Sequence, residues 1–172
     1  MNDQMNIKSM VSSLMNGIRI ENDGHQFYSL AAEKTSDPKG KDTFRTLAKE
    51  ELVHKIFLED QLKSVHEKGN IDASLDLGQG ETFSEKDPIF SPGILNRIGD
   101  AQFEMSALSI GITLELSSID YYTEQADKAP IEEMRAFYKK LADWESVHYH
   151  ALLRQQDLLK EDYWAAGGFA PF

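Results

Sequence analysis

Cysteine is absent from this chain, which excludes disulfides, thiolate zinc and iron–sulfur centres and leaves any metal to His, carboxylates or water. Basic residues are scarce: 18 Lys and Arg stand against 29 Asp and Glu, a formal net charge of −11. Neutralising phosphates takes clustered Lys and Arg, so no nucleic-acid partner is expected. Long apolar runs are missing as well. Nothing approaches about 18 consecutive apolar residues, and the stretch from Met1 to Ile20 has no basic start followed by a continuous apolar segment, so neither a membrane span nor a leader is expected and the location is read as cytoplasmic. What remains is ordinary for a globular protein, with 41% hydrophobic and 27% charged residues, and 172 residues fit one domain, 1–172, able to bury most of its apolar surface without staples.

Four segments carry apolar residues at three- and four-residue spacing with few breakers, which predicts amphipathic helices over about 8–34, 41–67, 100–128 and 131–160. Thr35-Ser36-Asp37-Pro38-Lys39-Gly40 separates the first two and Lys128-Ala129-Pro130 the last two. Short connections of that kind join antiparallel neighbours, giving two helical hairpins. Residues 69–99 hold most of the glycine and proline without a sustained period and are a crossover connector, with a short helix near Ile94 to Ile98. A helix of about 27 residues is roughly 40 Å long, and the connector can span that length. The third helix can then run parallel to the second, so the expected fold is all-α, a ferritin-like four-helix bundle with a long crossover between helices 2 and 3. The segment from Tyr163 to Phe172 is too aromatic for an indifferent solvated end and is expected either to pack back on the bundle or to meet another subunit, the second being preferred.

The hairpins repeat each other. A shift of 94 residues, without a gap, places Glu21 on Glu115, Tyr28 on Tyr122, Leu47 on Leu141, Ala48 on Ala142, Glu51 on Glu145, Val53 on Val147 and His54 on His148. Roughly a quarter of the positions between 15 and 62 match their partners, where about one in sixteen would by chance.

In each hairpin the first helix offers one Glu and the second offers Glu-x-x-His: Glu51 with His54, then Glu145 with His148. Residues three apart share a helix face, so each pair can reach one point. One Glu from each of two helices and Glu-x-x-His from each of the other two is the ligand set of a di-metal carboxylate site in a bundle. All six interrupt apolar stripes: Leu14, Ile18, Tyr28 and Ala31 around Glu21; Phe44, Leu47 and Leu58 around Glu51 and His54; Leu108, Ile112, Ile119 and Tyr122 around Glu115; Met134, Leu141 and Leu152 around Glu145 and His148. Four carboxylates meeting in a dry core repel one another and lose hydration, at several kcal/mol per unpaired ion. Two divalent cations offset that charge. Imidazole with carboxylate suits iron, manganese or zinc. By symmetry Glu51 and Glu145 bridge the two metals and carry the chemistry, Glu21 and His54 complete one metal, and Glu115 and His148 the other.

Tyr28 and Tyr122 are placed either to hydrogen-bond a ligand carboxylate of a neighbouring helix or simply to pack. His25 is read as structural, His66 and His150 as surface or packing residues, and Glu50, Asp120 and Glu124 as charges on solvated faces.

At Glu21 to Tyr28, Leu47-Ala48-Lys49-Glu50-Glu51-Leu52-Val53-His54, Glu115 to Tyr122 and Leu141-Ala142-Asp143-Trp144-Glu145-Ser146-Val147-His148, the chain resembles the rubrerythrin-like branch of the ferritin-like superfamily. The resemblance covers about residues 8–160. It implies two iron ions in a non-haem centre, an oxidoreductase reacting with O2 or H2O2, and often a homodimer. Rubrerythrins also carry a cysteine-ligated rubredoxin module, which this chain cannot hold, so an external electron donor is implied. Ser118 stands where the family has a second carboxylate on the third helix, and His148 where it has another, so the symmetric set looks more like the ferroxidase centre of bacterioferritin. The alternative function is therefore iron handling of ferroxidase type without substrate turnover.

Overall fold

The computed structural model describes residues 2–75, 77, 88–94, 102–129 and 131–166, and side chains within 6–161 of that set. Four helices account for the regular structure among the described residues: α1 (Asn2–Lys34), α2 (Pro38–Lys68), α3 (Gln102–Lys128) and α4 (Glu132–Ala166). No helix among them is long and apolar enough to cross a membrane. The expected aromatic contact at Tyr163 to Phe172 lies outside the described side chains. Of the short helix expected near Ile94, one tight turn over 92–94 is seen and the rest lies outside the described residues.

α2 begins three residues earlier than its apolar period predicts. Asp37 caps it, its Oδ1 accepting from the Gly40 N–H at 2.8 Å, and Pro38 occupies the first turn, where proline has no intrahelical donor to lose and its φ suits a helix. The connection to α1 therefore shrinks to residues 35–37. At the other end Gly69 adopts φ 78° and donates to the Val65 carbonyl at 3.0 Å, a left-handed cap that glycine takes without a Cβ clash.

Side-chain pairings fix the directions. α1 meets α2 through Tyr28 on Phe44 and Lys55 on Asn22, and meets α3 through Tyr28 on Glu115 and Glu21 on Tyr122. In both pairings residue numbers rise on one helix as they fall on the other, so α1 is antiparallel to α2 and to α3. α2 and α3 are thus parallel, as the long crossover requires. Two repeat-related glutamines tie that crossover down. Gln61 pairs with the backbone of Asp72 through both amide atoms, at 2.8 and 3.0 Å, and Gln155 accepts from the Ile89 N–H at 2.7 Å.

The core divides into two apolar clusters with the polar constellation between them. One gathers Tyr28, Phe44, Leu47, Leu108 and Leu152; the other gathers Leu14, Leu58, Tyr122, Tyr138 and Leu141. The clusters obey the 94-residue repeat: Tyr28 stacks on Phe44 and Tyr122 on Tyr138, each with ring centroids 6.2 Å apart. Gly17 and Gly111 are repeat partners too. A Cβ at Gly17 would sit 3.3 Å from the Tyr122 hydroxyl, and one at Gly111 3.2 Å from that of Tyr28.

Gly40 has a similar spatial role at the crossover, since a Cβ there would lie 2.5 Å from the ring of Phe90. That ring packs on Phe44 and is 2% exposed. Gly40→Ala is expected to expel Phe90 from its seat and to destabilise the protein by about 1–3 kcal/mol, the usual cost of overpacking. Urea denaturation of the two proteins measures it.

Candidate metal centre

Glu21, Glu51, His54, Glu115, Glu145 and His148 are all buried, none more than 3% exposed. They come from all four helices, and the flanking apolar residues explain their depth: Leu47 and Leu58 hold the Glu51 turn inside, and Leu141 and Leu152 the Glu145 turn. Of the predicted inner stripes only Ile18, Ile112 and Ile119 are half-exposed.

Their ligand atoms form two overlapping groups. Glu21, Glu51, His54 and Glu145 each bring one such atom within 4.8 Å of the others, and so do Glu51, Glu115, Glu145 and His148. Glu51 and Glu145 belong to both. His54 Nδ1 lies 3.2 Å from Glu21 Oε2 and 3.0 Å from Glu145 Oε1, and His148 Nδ1 lies 3.6 to 3.8 Å from oxygens of Glu51, Glu115 and Glu145. Both imidazoles therefore turn Nδ1 toward the carboxylates. The rings stand parallel with centroids 6.0 Å apart.

The tyrosines bond rather than merely pack. Tyr28 donates to Glu115 Oε1 and Tyr122 to Glu21 Oε1, each hydroxyl crossing between α1 and α3 in symmetric fashion. Burial first, and then the facing glutamates, push both phenols well above their usual pKa, so they stay protonated donors. Each fixes one oxygen of its carboxylate and leaves the other to turn inward.

Electrostatics without metal are unfavourable. Burial, reinforced by Glu145, Glu115 and Glu21, raises Glu51 well above the carboxylate range. Burial, with Glu21 and Glu115, does the same to Glu145. Burial is the largest single influence on Glu115 and raises it, but the charge of His148 and the hydrogen bonds with His148, Glu145 and Tyr28 together hold that carboxyl below the usual value. The two imidazoles go upward, their burial overcome by Glu21 at His54 and by Glu115 at His148. Without metal these shifts favour a proton on Glu51, Glu145 and both histidines, the groups whose charge cations would otherwise offset. Glu51 Oε1 and both carboxylate oxygens of Glu145 have no hydrogen-bond partner among the described residues, a rare condition for buried polar atoms. An unpartnered oxygen in a shared carboxylate, facing imidazole nitrogen, suits a divalent cation of the borderline class.

Of the residues set aside on sequence grounds, His25, His66, His150, Asp120 and Glu124 lie where expected. His25 Nδ1 meets the Ala48 carbonyl at 2.6 Å, and the other four are exposed. Glu50 does not. It is 6% exposed, and its Oε2 accepts from His148 Nε2 at 2.5 Å. The expectation of a solvated charge fails because Leu47, Glu50 and His54 share a face by the three- and four-residue spacing, a signal that the sequence does carry. At the repeat-related position Trp144 packs edge-on against His54, ring centroids 5.0 Å apart. A cavity of about 100 Å³ reaches Glu51 and Glu115 between α1 and α3, lined by Gly24 and Ser118, which are repeat partners. A Cβ at Gly24 would stand 3.0 Å from Glu51 Oε2.

Searches of curated proteins and of solved structures returned no match to this chain. A family model described as Rubrerythrin matches residues 13–101, which span most of α1, all of α2 and the crossover. With just over half of its length under that match, and with the second hairpin repeating the first, the chain belongs to the rubrerythrin family.

Proposed function

We propose that the protein is a di-iron carboxylate oxidoreductase that reduces H2O2 or O2 with electrons from an external donor. Glu21, Glu51, His54 and Glu145 would hold one ion, and Glu51, Glu115, Glu145 and His148 the other. The observation that carries this is the overlap of two buried ligand groups in Glu51 and Glu145. Manganese or zinc would fit the same donor types; the family favours iron.

When bound, iron supplies two electrons to the oxidant, and the protein supplies the setting. Glu51 and Glu145 belong to both groups, so either carboxylate would be within reach of both ions. Tyr28 and Tyr122 hold Glu115 and Glu21 in place. The cavity beside Gly24 and Ser118 has room for about three waters, which admits a diatomic molecule or a peroxide, while the two apolar clusters close the ends of the bundle.

Anaerobic protein loaded with about two Fe(II) per chain should consume about one H2O2 for each pair of iron ions oxidised. Turnover should continue only when a reductant is added. Absence of oxidation in a fully loaded sample would refute the proposal. The six-ligand symmetry also favours a second reading, Fe(II) oxidation of ferroxidase type, which predicts uptake of iron beyond two per chain under O2. A homodimer in the cytoplasm is proposed with it.

A further inference from the structure

The two metal positions differ in what stands behind their histidines. On the His148 side, Nε2 donates to the buried carboxylate of Glu50 at 2.5 Å while Nδ1 faces Glu51, Glu115 and Glu145. On the His54 side, Nδ1 faces Glu21 and Glu145, but Nε2 has no hydrogen-bond acceptor among the described residues. Trp144 covers that ring instead, at a centroid distance of 5.0 Å. The repeat makes the comparison direct, because Glu50 and Trp144 occupy equivalent places, each immediately before the shared glutamate of its helix. Where the fold is otherwise two-fold symmetric, down to the tyrosine bonds, the outer partner of the imidazole breaks the symmetry.

A carboxylate on the outer nitrogen of a ligating histidine fixes its tautomer and orientation and makes the inner nitrogen a better donor, and its loss typically costs 10- to 100-fold in metal affinity. An indole has no lone pair to offer there and can only pack. We infer that Glu50 is a positioning residue that makes the His148 position the tighter of the two, so that metal fills the site in order, His148 side first and His54 side second. The inference rests on the di-metal reading above.

Titration of the metal-free protein with Co(II) alone, without oxygen, tests it through the visible absorption of the bound ion. The expected result is two steps of one ion per chain, the first about 10- to 100-fold tighter. Glu50→Leu should bring the first step down to the second. Glu50→Gln, whose amide oxygen still accepts from Nε2, should keep part of the difference. Trp144→Glu, the symmetry equivalent of Glu50, should tighten the second step toward the first, and it decides the matter if Glu50→Leu does not fold. Two equal steps in the unaltered protein, or an unchanged split in Glu50→Leu or Trp144→Glu, would overturn the inference and leave the di-metal reading standing. Failure to bind any Co(II) would overturn both.

Discussion

Metal-free protein is expected to lose stability as pH rises from about 5 to 8, and added metal is expected to reverse the trend. Glu51 and Glu145 have pKa values raised above the ordinary 4.5, chiefly by burial. Such a carboxyl keeps its proton in the folded state where the unfolded chain has released it. Its contribution is therefore present below about pH 4.5 and is lost as pH climbs toward the raised value. His54 and His148, raised above 6.5 by their glutamate partners against the opposing effect of burial, contribute fully below that value and lose their contribution as pH rises through the folded one. Glu115, lowered on balance, acts in the other direction, but only below about 4.5, where it sets the acid limit.

Metal binding needs those same groups deprotonated, so two divalent ions displace up to about four protons and bind more tightly at higher pH. With free metal at about a thousand times its dissociation constant, each ion adds about 4 kcal/mol. At about 2–4 °C per kcal/mol for a chain of this size, saturation raises Tm by roughly 15–30 °C. Thermal scans at pH 6 and pH 8, with and without metal, should show the metal-free curve falling and the gain from metal growing.

The second large effect has opposite signs on stability and on binding. Glu145→Leu is expected to stabilise the metal-free protein by about 1–3 kcal/mol at neutral pH, because folding must otherwise bury a carboxyl that burial, Glu21 and Glu115 hold above its ordinary pKa, while Glu21 still pairs with His54. The same change should abolish binding of both ions, since Glu145 belongs to both ligand groups. Glu21→Ala, which touches one group only, should leave about one metal per chain. A residue kept for packing or stability would not behave in this way. Denaturation of metal-free samples, set beside metal content, separates the two cases.

Most of the candidate site was legible in the sequence because each of its six side chains carries its own helical register. Glu51 lies between Leu47 and Leu58 in the apolar period of α2, and the repeat supplies Glu145 independently on α4. Depth and mutual facing follow from those two facts. Glu50 was read as a charge on a solvated face, since its partner lies 98 residues away and the repeat puts Trp144 at its place, so symmetry gave no signal. Its burial also requires α2 and α4 to face each other, a property of assembly and not of either helix alone. The start of α2 was misjudged for a local reason: Pro38 resembles a breaker, but after Asp37 it opens the first turn. Gln61 and Gln155 fall on each other under the 94-residue shift but were not singled out, because their role depends on where the crossover backbone passes, at Asp72 and Ile89, which no period records. Tyr28 and Tyr122 were read as either bonding or packing, and only the antiparallel register of α1 and α3 decides between them.

The most direct test is the stoichiometry of Fe(II) bound by metal-free protein in the absence of oxygen. Saturation at two ions per chain, reduced to none when Glu51 and Glu145 are both replaced by alanine, is the predicted result. Saturation at one ion, no binding, or unchanged metal content in the double variant would contradict the shared-carboxylate site.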